Sequence, residues 1–264
     1  MPFRKNSVSP GNSRASFARF TRGLYTAWPK VMHAVLPNLC ALCGNLSHKT
    51  LCADCDETYW NESRLRCTVC AVPLSGMRWA SHAQYRCADC IAEPPPFEAT
   101  FALADYRRPL DALALGLKFR ARLMLAREFA QRLARLAQDT WVDASEKPDV
   151  LAPVPLAGKR LTERGYNQAW QIARPLARAL NVRSDAVLLR RVIHTAPQSR
   201  LDLDARRLNV GRAFEAAKPV QGLHIGIVDD VMTTGATLEA LARTLKAAGA
   251  RRVTNFVALR TPKN

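Results

Sequence analysis

All eight cysteines of this chain fall in Cys-x-x-Cys pairs, and all lie between residues 40 and 90. The pairs are Cys40/Cys43, Cys52/Cys55, Cys67/Cys70 and Cys87/Cys90. Two thiolates three positions apart can bite one metal from a tight turn, and a second pair completes a tetrahedral zinc site. Gly44 directly after Cys43 suits such a turn. A disulfide framework would use the same residues, but it needs an oxidising compartment. The N-terminus has no apolar block or cleavage site of a secretory signal. Redox Cys-x-x-Cys motifs usually come singly on a thioredoxin-like pattern. The expectation is therefore two structural zinc ions. Sequential pairing would give one site from Cys40, Cys43, Cys52 and Cys55 and another from Cys67, Cys70, Cys87 and Cys90. Cross-bracing, first pair with third and second with fourth, stays open. A closed four-thiolate site leaves no position for substrate, so these ions would hold together a module with little core of its own. The second unit carries a long insert, Ala71 to Arg86, with Trp79 and His82. His82 is expected on the surface, because the ligand count is already complete.

The remaining sequence has an ordinary globular balance, 48% hydrophobic and 23% charged over 264 residues. Apolar stretches are too short for a transmembrane helix, and a cytoplasmic location is expected. The formal net charge is +17, from 39 basic and 22 acidic residues. That excess suits phosphates: nucleic acid, nucleotides or an anionic membrane. No Asp or Glu occurs before Leu39, so residues 1–35 read as a basic arm without stable packing. The zinc module is expected over 36–92. Glu93-Pro94-Pro95-Pro96 then forms a stiff linker, and 97–264 form the second domain.

In that domain Ala99 to Tyr106 alternates like a strand. Leu110 to Ala137 carries apolar residues at helical spacing with arginines between them, predicting one or two amphipathic helices. Lys118, Arg120 and Arg122 are candidates for an anion-binding patch. Ser145 to Asp149 reads as a polar turn. Strands follow at Val150–Val154, Val187–Leu189, Leu223–Val228 and Val253–Leu259. Helices follow at Ala169–Leu180, with a kink expected at Pro175, and at Thr237–Ala248, with Gly249 as its cap. Apolar strands alternating with helices predict an α/β fold: a mostly parallel sheet with helices on both faces.

The chemistry concentrates at Leu223 to Ala248. Ile225, Ile227 and Val228 form a buried strand that Asp229 and Asp230 are expected to stop at its C-terminal edge, where open α/β sheets bind ligands. Met232-Thr233-Thr234-Gly235-Ala236-Thr237 leads into a helix whose N-terminus offers free N–H groups and a partial positive charge. Gly235 lets the backbone approach a ligand, and three threonines add hydroxyl donors. The two aspartates would repel a phosphate, so they make sense facing ribose hydroxyls or acting through a divalent ion. No Walker-type loop and no Gly-x-Gly-x-x-Gly after a strand is present. A cationic loop is expected after the first core strand: Pro155-Leu156-Ala157-Gly158-Lys159-Arg160, with Arg164-Gly165 close behind.

An apolar strand, two acids, a short spacer and Thr-Gly-x-Thr resembles the PRPP-binding motif of type I phosphoribosyltransferases. That resemblance implies a type I phosphoribosyltransferase-like sheet. It implies that Asp229 and Asp230 bind the ribose hydroxyls of PRPP and would be the catalytic pair. Thr233, Thr234, Gly235, Ala236 and Thr237 would cradle its 5′-phosphate. Lys159, Arg160 and Arg164 would meet the pyrophosphate, and Mg²⁺ would be held largely by PRPP. The chemistry implied is displacement of pyrophosphate at the anomeric carbon by an acceptor.

The order of parts, from about Leu36 to Leu259, resembles the ComF family, in which a double zinc ribbon precedes a phosphoribosyltransferase domain. Its specific pieces are the four cysteine pairs, Pro153-Val154-Pro155-Leu156, Arg160 through Gln168, and Asp229 to Thr237. A polar, basic stretch with Arg190, Arg191, Thr195, Gln198, Arg206, Arg207 and Asn209, ending at Phe214, corresponds to a hood over the substrate. Membership implies a role in DNA uptake and natural transformation, with single-stranded DNA and DNA-uptake or helicase proteins as partners. Tyr59, Trp60, Trp79 and Tyr85 are candidate stacking residues for such a strand. Whether transfer is catalysed stays open. If it is, the chain would be a pentosyl-class glycosyltransferase, the alternative being a nucleotide-metabolism enzyme with an unknown acceptor.

Overall fold

Two apolar runs near the C-terminus, too hydrophobic to face water on either side, lie next to each other at the centre of a five-stranded sheet. The computed structural model describes residues 38–60, 64–76, 85–192 and 213–262. The basic arm, Trp79, His82 and the hood residues Thr195, Gln198, Arg206, Arg207 and Asn209 lie outside the described residues. The chain divides into two compact units between Cys52 and Ala53.

The first unit contains a hairpin of β1 (Asn38–Leu39) and β2 (Leu46–Ser47), paired antiparallel. Between the two strands, Cys40 N–H donates to Asn45 O at 2.7 Å and Gly44 N–H to Cys40 O at 3.0 Å. Gly44 closes that turn at φ +78°, a conformation that costs other residues strain.

In the second unit α1 (Ala53–Trp60) and α2 (Ala88–Ala92) precede β3 (Ala99–Asp105). Then come α3 (Asp111–Phe119), α4 (Met124–Thr140), a short 3₁₀ turn Ala144–Glu146, and β4 (Val150–Pro153). Next are α5 (Gly158–Arg164), α6 (Gln168–Leu180), β5 (Arg183–Ser184), β6 (Leu189–Arg191) and β7 (Phe214–Ala216). The unit ends with β8 (His224–Met232), α7 (Ala236–Ala247) and β9 (Arg252–Arg260). The sheet order is β3-β9-β8-β4-β5, every pair parallel. Strands β6 and β7 form a separate antiparallel hairpin.

Register explains the layers. Val150, Ile225 and Val253 align across three strands. They join one apolar cluster with Leu238, Leu241 and Leu245 of α7, with Val69 and Val72 from the cysteine-rich segment, and with Phe97 just after the proline linker. Helices α4 and α6 pack on each other and on the sheet, through Leu125, Phe129 and Leu133 from one and Ile172 and Leu176 from the other. They form the layer on the opposite face. Gly226 belongs to that tight contact. A Cβ there would stand 2.3 Å from Leu151 Cδ2 and 3.0 Å from Phe256 Cε2, so only glycine fits.

Several expectations shift. The strand expected at Leu223–Val228 runs on to Met232, because β9 supplies partners as far as Arg260. The aspartates therefore sit within the strand and do not stop it. The basic segment after β4 is a helix from Gly158, closed by Gly165 at φ +76°. The strand expected at Val187–Leu189 lies two residues later, where it finds β7 as partner. Helix α6 continues through Pro175 as one 13-residue element. It starts at Asn167, whose Oδ1 accepts from the Ala169 and Trp170 N–H groups.

Candidate functional site

The site grows from the end of β8. Val228 is fully buried, Asp229 is half-buried and Asp230 is 2% exposed. Asp229 Oδ1 accepts the Asp230 N–H at 2.8 Å, and Asp230 Oδ1 accepts the Val231 N–H at 3.0 Å. The two carboxylates are thus fixed by their own backbone. Burial and the adjacent Asp230 push the Asp229 carboxyl well above the usual carboxylate range. Lys118, from α3, reaches Asp230 Oδ2 at 3.1 Å.

The loop beyond leaves Thr233 and Thr234 exposed and turns at Gly235, with φ +94°. A Cβ on Gly235 would also stand 2.6 Å from Met232 Cε. Thr234 Oγ1 accepts the Ala236 N–H at 3.3 Å, and α7 begins at Ala236. Open N–H groups of the first helical turn and threonine hydroxyls are groups of the kind that can hold an anion.

A cleft of about 730 Å³ opens beside these residues. Asp229, Asp230 and Thr237 line it, with Lys118, Arg160, Arg164 and Arg191 as its cations. Acids on one strand end and four cations from three separate elements suit a ligand with a sugar and more than one phosphate. Thr233, Thr234, Gly235 and Ala236 form the loop next to it. Lys159 is not among the lining residues. Its side chain is 88% exposed and stands 4.0 Å from Glu163. Arg120 and Arg122 do not line the cleft either, so of that group only Lys118 does.

Phe119 lines the cleft, although no motif singled it out. It is 71% exposed, and the Arg164 guanidinium stands 5.4 Å above its ring. Gln168 Oε1 accepts from Arg164 as well, at 2.5 Å. The available signal was periodicity: Phe119 falls out of phase with the Leu110, Leu113 and Leu117 stripe. Tyr166 also lines the cleft, its hydroxyl donating to Leu117 O.

The cysteines form two groups, each with its sulfur atoms within 4.8 Å of one another: Cys40, Cys43, Cys52 and Cys55, and Cys67, Cys70, Cys87 and Cys90. The pairing is sequential. Cys43 and Cys52 sulfurs lie 3.7 Å apart, and Cys70 and Cys87 sulfurs 3.6 Å apart. A tetrahedron with zinc–sulfur bonds of about 2.3 Å has edges of about 3.8 Å, so both groups fit zinc. A disulfide would need about 2.0 Å, and none is formed. In the second group a hydrogen bond from Cys70 draws the Cys67 thiol down to about 4, while the same contact pushes Cys70 up. Thiols crowded in this way call for a cation to let all four ionise. Trp60 is a packing residue: its ring meets Phe129 edge-on at 6.2 Å and carries the Arg132 guanidinium at 4.8 Å.

A model of the phosphoribosyl transferase domain matches residues 122–263, and one of the double zinc ribbon domain matches 31–97. DNA utilization protein YhgH of Salmonella typhimurium is 36% identical over 234 residues, covering 86% of this chain and 98% of that protein. The chain belongs to the ComF family. Competence protein F of Haemophilus influenzae is 30% identical over 198 residues, covering 71% of this chain and 86% of its own. Competence protein ComFC of Bacillus subtilis is 26% identical over 242 residues, covering 81% and 96%. ComF membership thus joins the two features already described, a double zinc ribbon and a phosphoribosyltransferase-type sheet. No helix among the described residues is long and apolar enough to cross a membrane.

Proposed function

We propose that this chain binds PRPP with Mg²⁺ in the cleft at the end of β8 and acts in the uptake or use of DNA. One observation carries the reading. The two aspartates, Thr237 at the end of the threonine loop, and four cations from three elements line a single cleft. Asp229 and Asp230 take the ribose hydroxyls, and the loop from Thr233 to Thr237 takes the 5′-phosphate. Arg160 and Arg164 take the pyrophosphate. Mg²⁺ would supply charge neutralisation between the phosphates when bound, and half-buried Asp229 is a carboxylate that could meet its coordinated water.

The test is titration with PRPP and Mg²⁺. The double substitution Asp229→Asn with Asp230→Asn removes two charged acceptors and weakens binding about 100-fold or more. Equal affinity in parent and variant sinks the assignment.

The role in DNA rests on the named relatives and on the net charge of +17. The partner in this reading is single-stranded DNA, whose phosphates suit the positive charge. Its binding should weaken steeply with salt as counterions are released. A flat salt dependence argues against it. A second reading, transfer of the phosphoribosyl group to a planar acceptor, is favoured by exposed Phe119 on the cleft wall. Pyrophosphate release in the presence of candidate bases reads it directly.

A further inference from the structure

Arg260, the last residue of β9, is 1% exposed and has its guanidinium wholly inside the second unit. Its hydrogen bonds run in two directions. Nε donates to Cys70 O at 2.9 Å. Nη1 donates to Met232 O at 3.2 Å, to Thr233 O, and to Thr261 O at 2.6 Å. One planar group therefore joins the knuckle that carries Cys70 to the two residues where β8 turns into the threonine loop.

Both ends of this bridge are constrained. On the knuckle side, Ala71 N–H closes back on Cys67 O at 2.8 Å, and Ala71 is held at φ +57°. Its carbonyl accepts from Arg66 at 3.1 Å, and Arg66 reaches buried Asp105 at 2.7 Å. Adjacent carbonyls, Cys70 and Ala71, are thus each held by a guanidinium. On the loop side, Thr261 N–H donates to Met232 O at 2.9 Å. A rigid fork can satisfy acceptors on both sides only while knuckle and loop keep this spacing. Depriving the buried Cys70 carbonyl of this donor is costly.

Cys70 offers its sulfur to the metal and its carbonyl to Arg260. Metal at the second cluster fixes the sulfur, hence the turn, hence the carbonyl. We infer that Arg260 is a positioning residue that couples metal loading of the second cysteine cluster to the order of the Thr233–Thr237 loop, and so to PRPP affinity. This rests on the PRPP reading above for its ligand, not for its geometry.

Coupling between two ligands is reciprocal. In the full-length, zinc-loaded chain, PRPP with Mg²⁺ should slow the chelator-driven release of one zinc and leave the other unchanged. Losing part of one buried hydrogen-bond set sets the expected factor at about tenfold. In Arg260→Lys, whose point-like ammonium cannot span both sides, both zincs stay bound at rest but PRPP no longer protects the zinc of the second cluster. Amide exchange at 233–237 rises in that variant by a similar factor.

If the parent binds PRPP and both zincs leave at unchanged rates, the coupling is refuted. That arm needs no variant, so it stands even where Arg260→Lys folds poorly. If the parent does not bind PRPP, the site reading has failed. The coupling is then judged by exchange alone: faster exchange at 233–237 in zinc-loaded Arg260→Lys supports it, and equal exchange overturns it.

Discussion

The two cysteine clusters have the same ligands and nearly the same sulfur spacing, yet they are embedded differently. In the first, Cys40 and Cys55 are buried, but Cys43 is exposed and Cys52 half-buried. Its knuckle is held by local bonds such as Cys52 N–H to Cys40 Sγ at 3.3 Å. In the second, Cys67, Cys70 and Cys90 are at most 7% exposed and belong to the apolar cluster that covers one face of the sheet. Thr100 N–H of β3 donates to Thr68 O at 3.1 Å, inside the Cys67/Cys70 turn. Identical metal chemistry therefore serves two ends: a local staple in one case and a piece of the domain core in the other.

The largest effect expected is the sharpest test of this contrast. A structural zinc site contributes on the order of 10 kcal/mol in small peptides, comparable to the whole stability of a domain. Cys67→Ser with Cys70→Ser should therefore abolish cooperative thermal unfolding of the sheet. Cys40→Ser with Cys43→Ser should keep that transition and lose one zinc. Equal collapse of both double variants would break the comparison.

A smaller effect should follow from Asp105, which is 1% exposed between Arg66 and Arg64 at the end of β3. Asp105→Asn leaves a half-buried guanidinium without its charge partner. Partial exposure of Arg64 lowers the expected loss to about 3 kcal/mol, read from the urea midpoint. Zinc should leave the second cluster faster in that variant and the first at the parent rate.

Acid sensitivity separates the sheet from both clusters. His224 is fully buried, with Nδ1 at 3.1 Å from Lys147 O and Nε2 at 2.9 Å from Thr254 Oγ1. Burial, and then Arg252, lower its pKa from 6.5 to about 4. The unfolded chain therefore takes up a proton first as pH falls. Stability is intact above pH 6.5 and is lost between 6.5 and 4, by about 2 kcal/mol at pH 5. Thiolate protonation also acts in acid, so the measurement is the difference in urea midpoint between parent and His224→Gln at pH 7 and pH 5. A difference that does not change with pH would count against it.

Much of this was legible in local pattern. Cysteine spacing marked the eight metal ligands but left their pairing open, apolar alternation marked the sheet and helices, and Asp229 to Thr237 the loop, because each depends on neighbours in sequence. What was not legible depends on partners far away. The strand carries on past Asp230 only because β9 lies beside it. Lys118 had no visible reason to be preferred over Arg120 and Arg122 until α3 brought it to Asp230. Arg260 read as one more cation at a strand end, since nothing local marks a guanidinium shared by two distant turns.

The smallest effect concerns Asp229, which opposes stability where the second cluster supplies it. Lys118 pairs with Asp230, so the half-buried Asp229 carboxylate bears the repulsion of its neighbour. Its raised pKa means the folded state holds the proton more tightly than the unfolded one. Stability is then highest below the ordinary value of 3.8 and falls as pH rises through the raised folded value. Asp229→Asn carries no such penalty. It should gain about 1 kcal/mol at pH 7, a rise in Tm of a few degrees, and nothing at pH 3. Both zincs should remain while PRPP affinity drops. A carboxylate kept at a cost to the fold fits a ligand site. A lower Tm in the variant at pH 7 would place Asp229 with the second cluster, among the groups that hold the sheet.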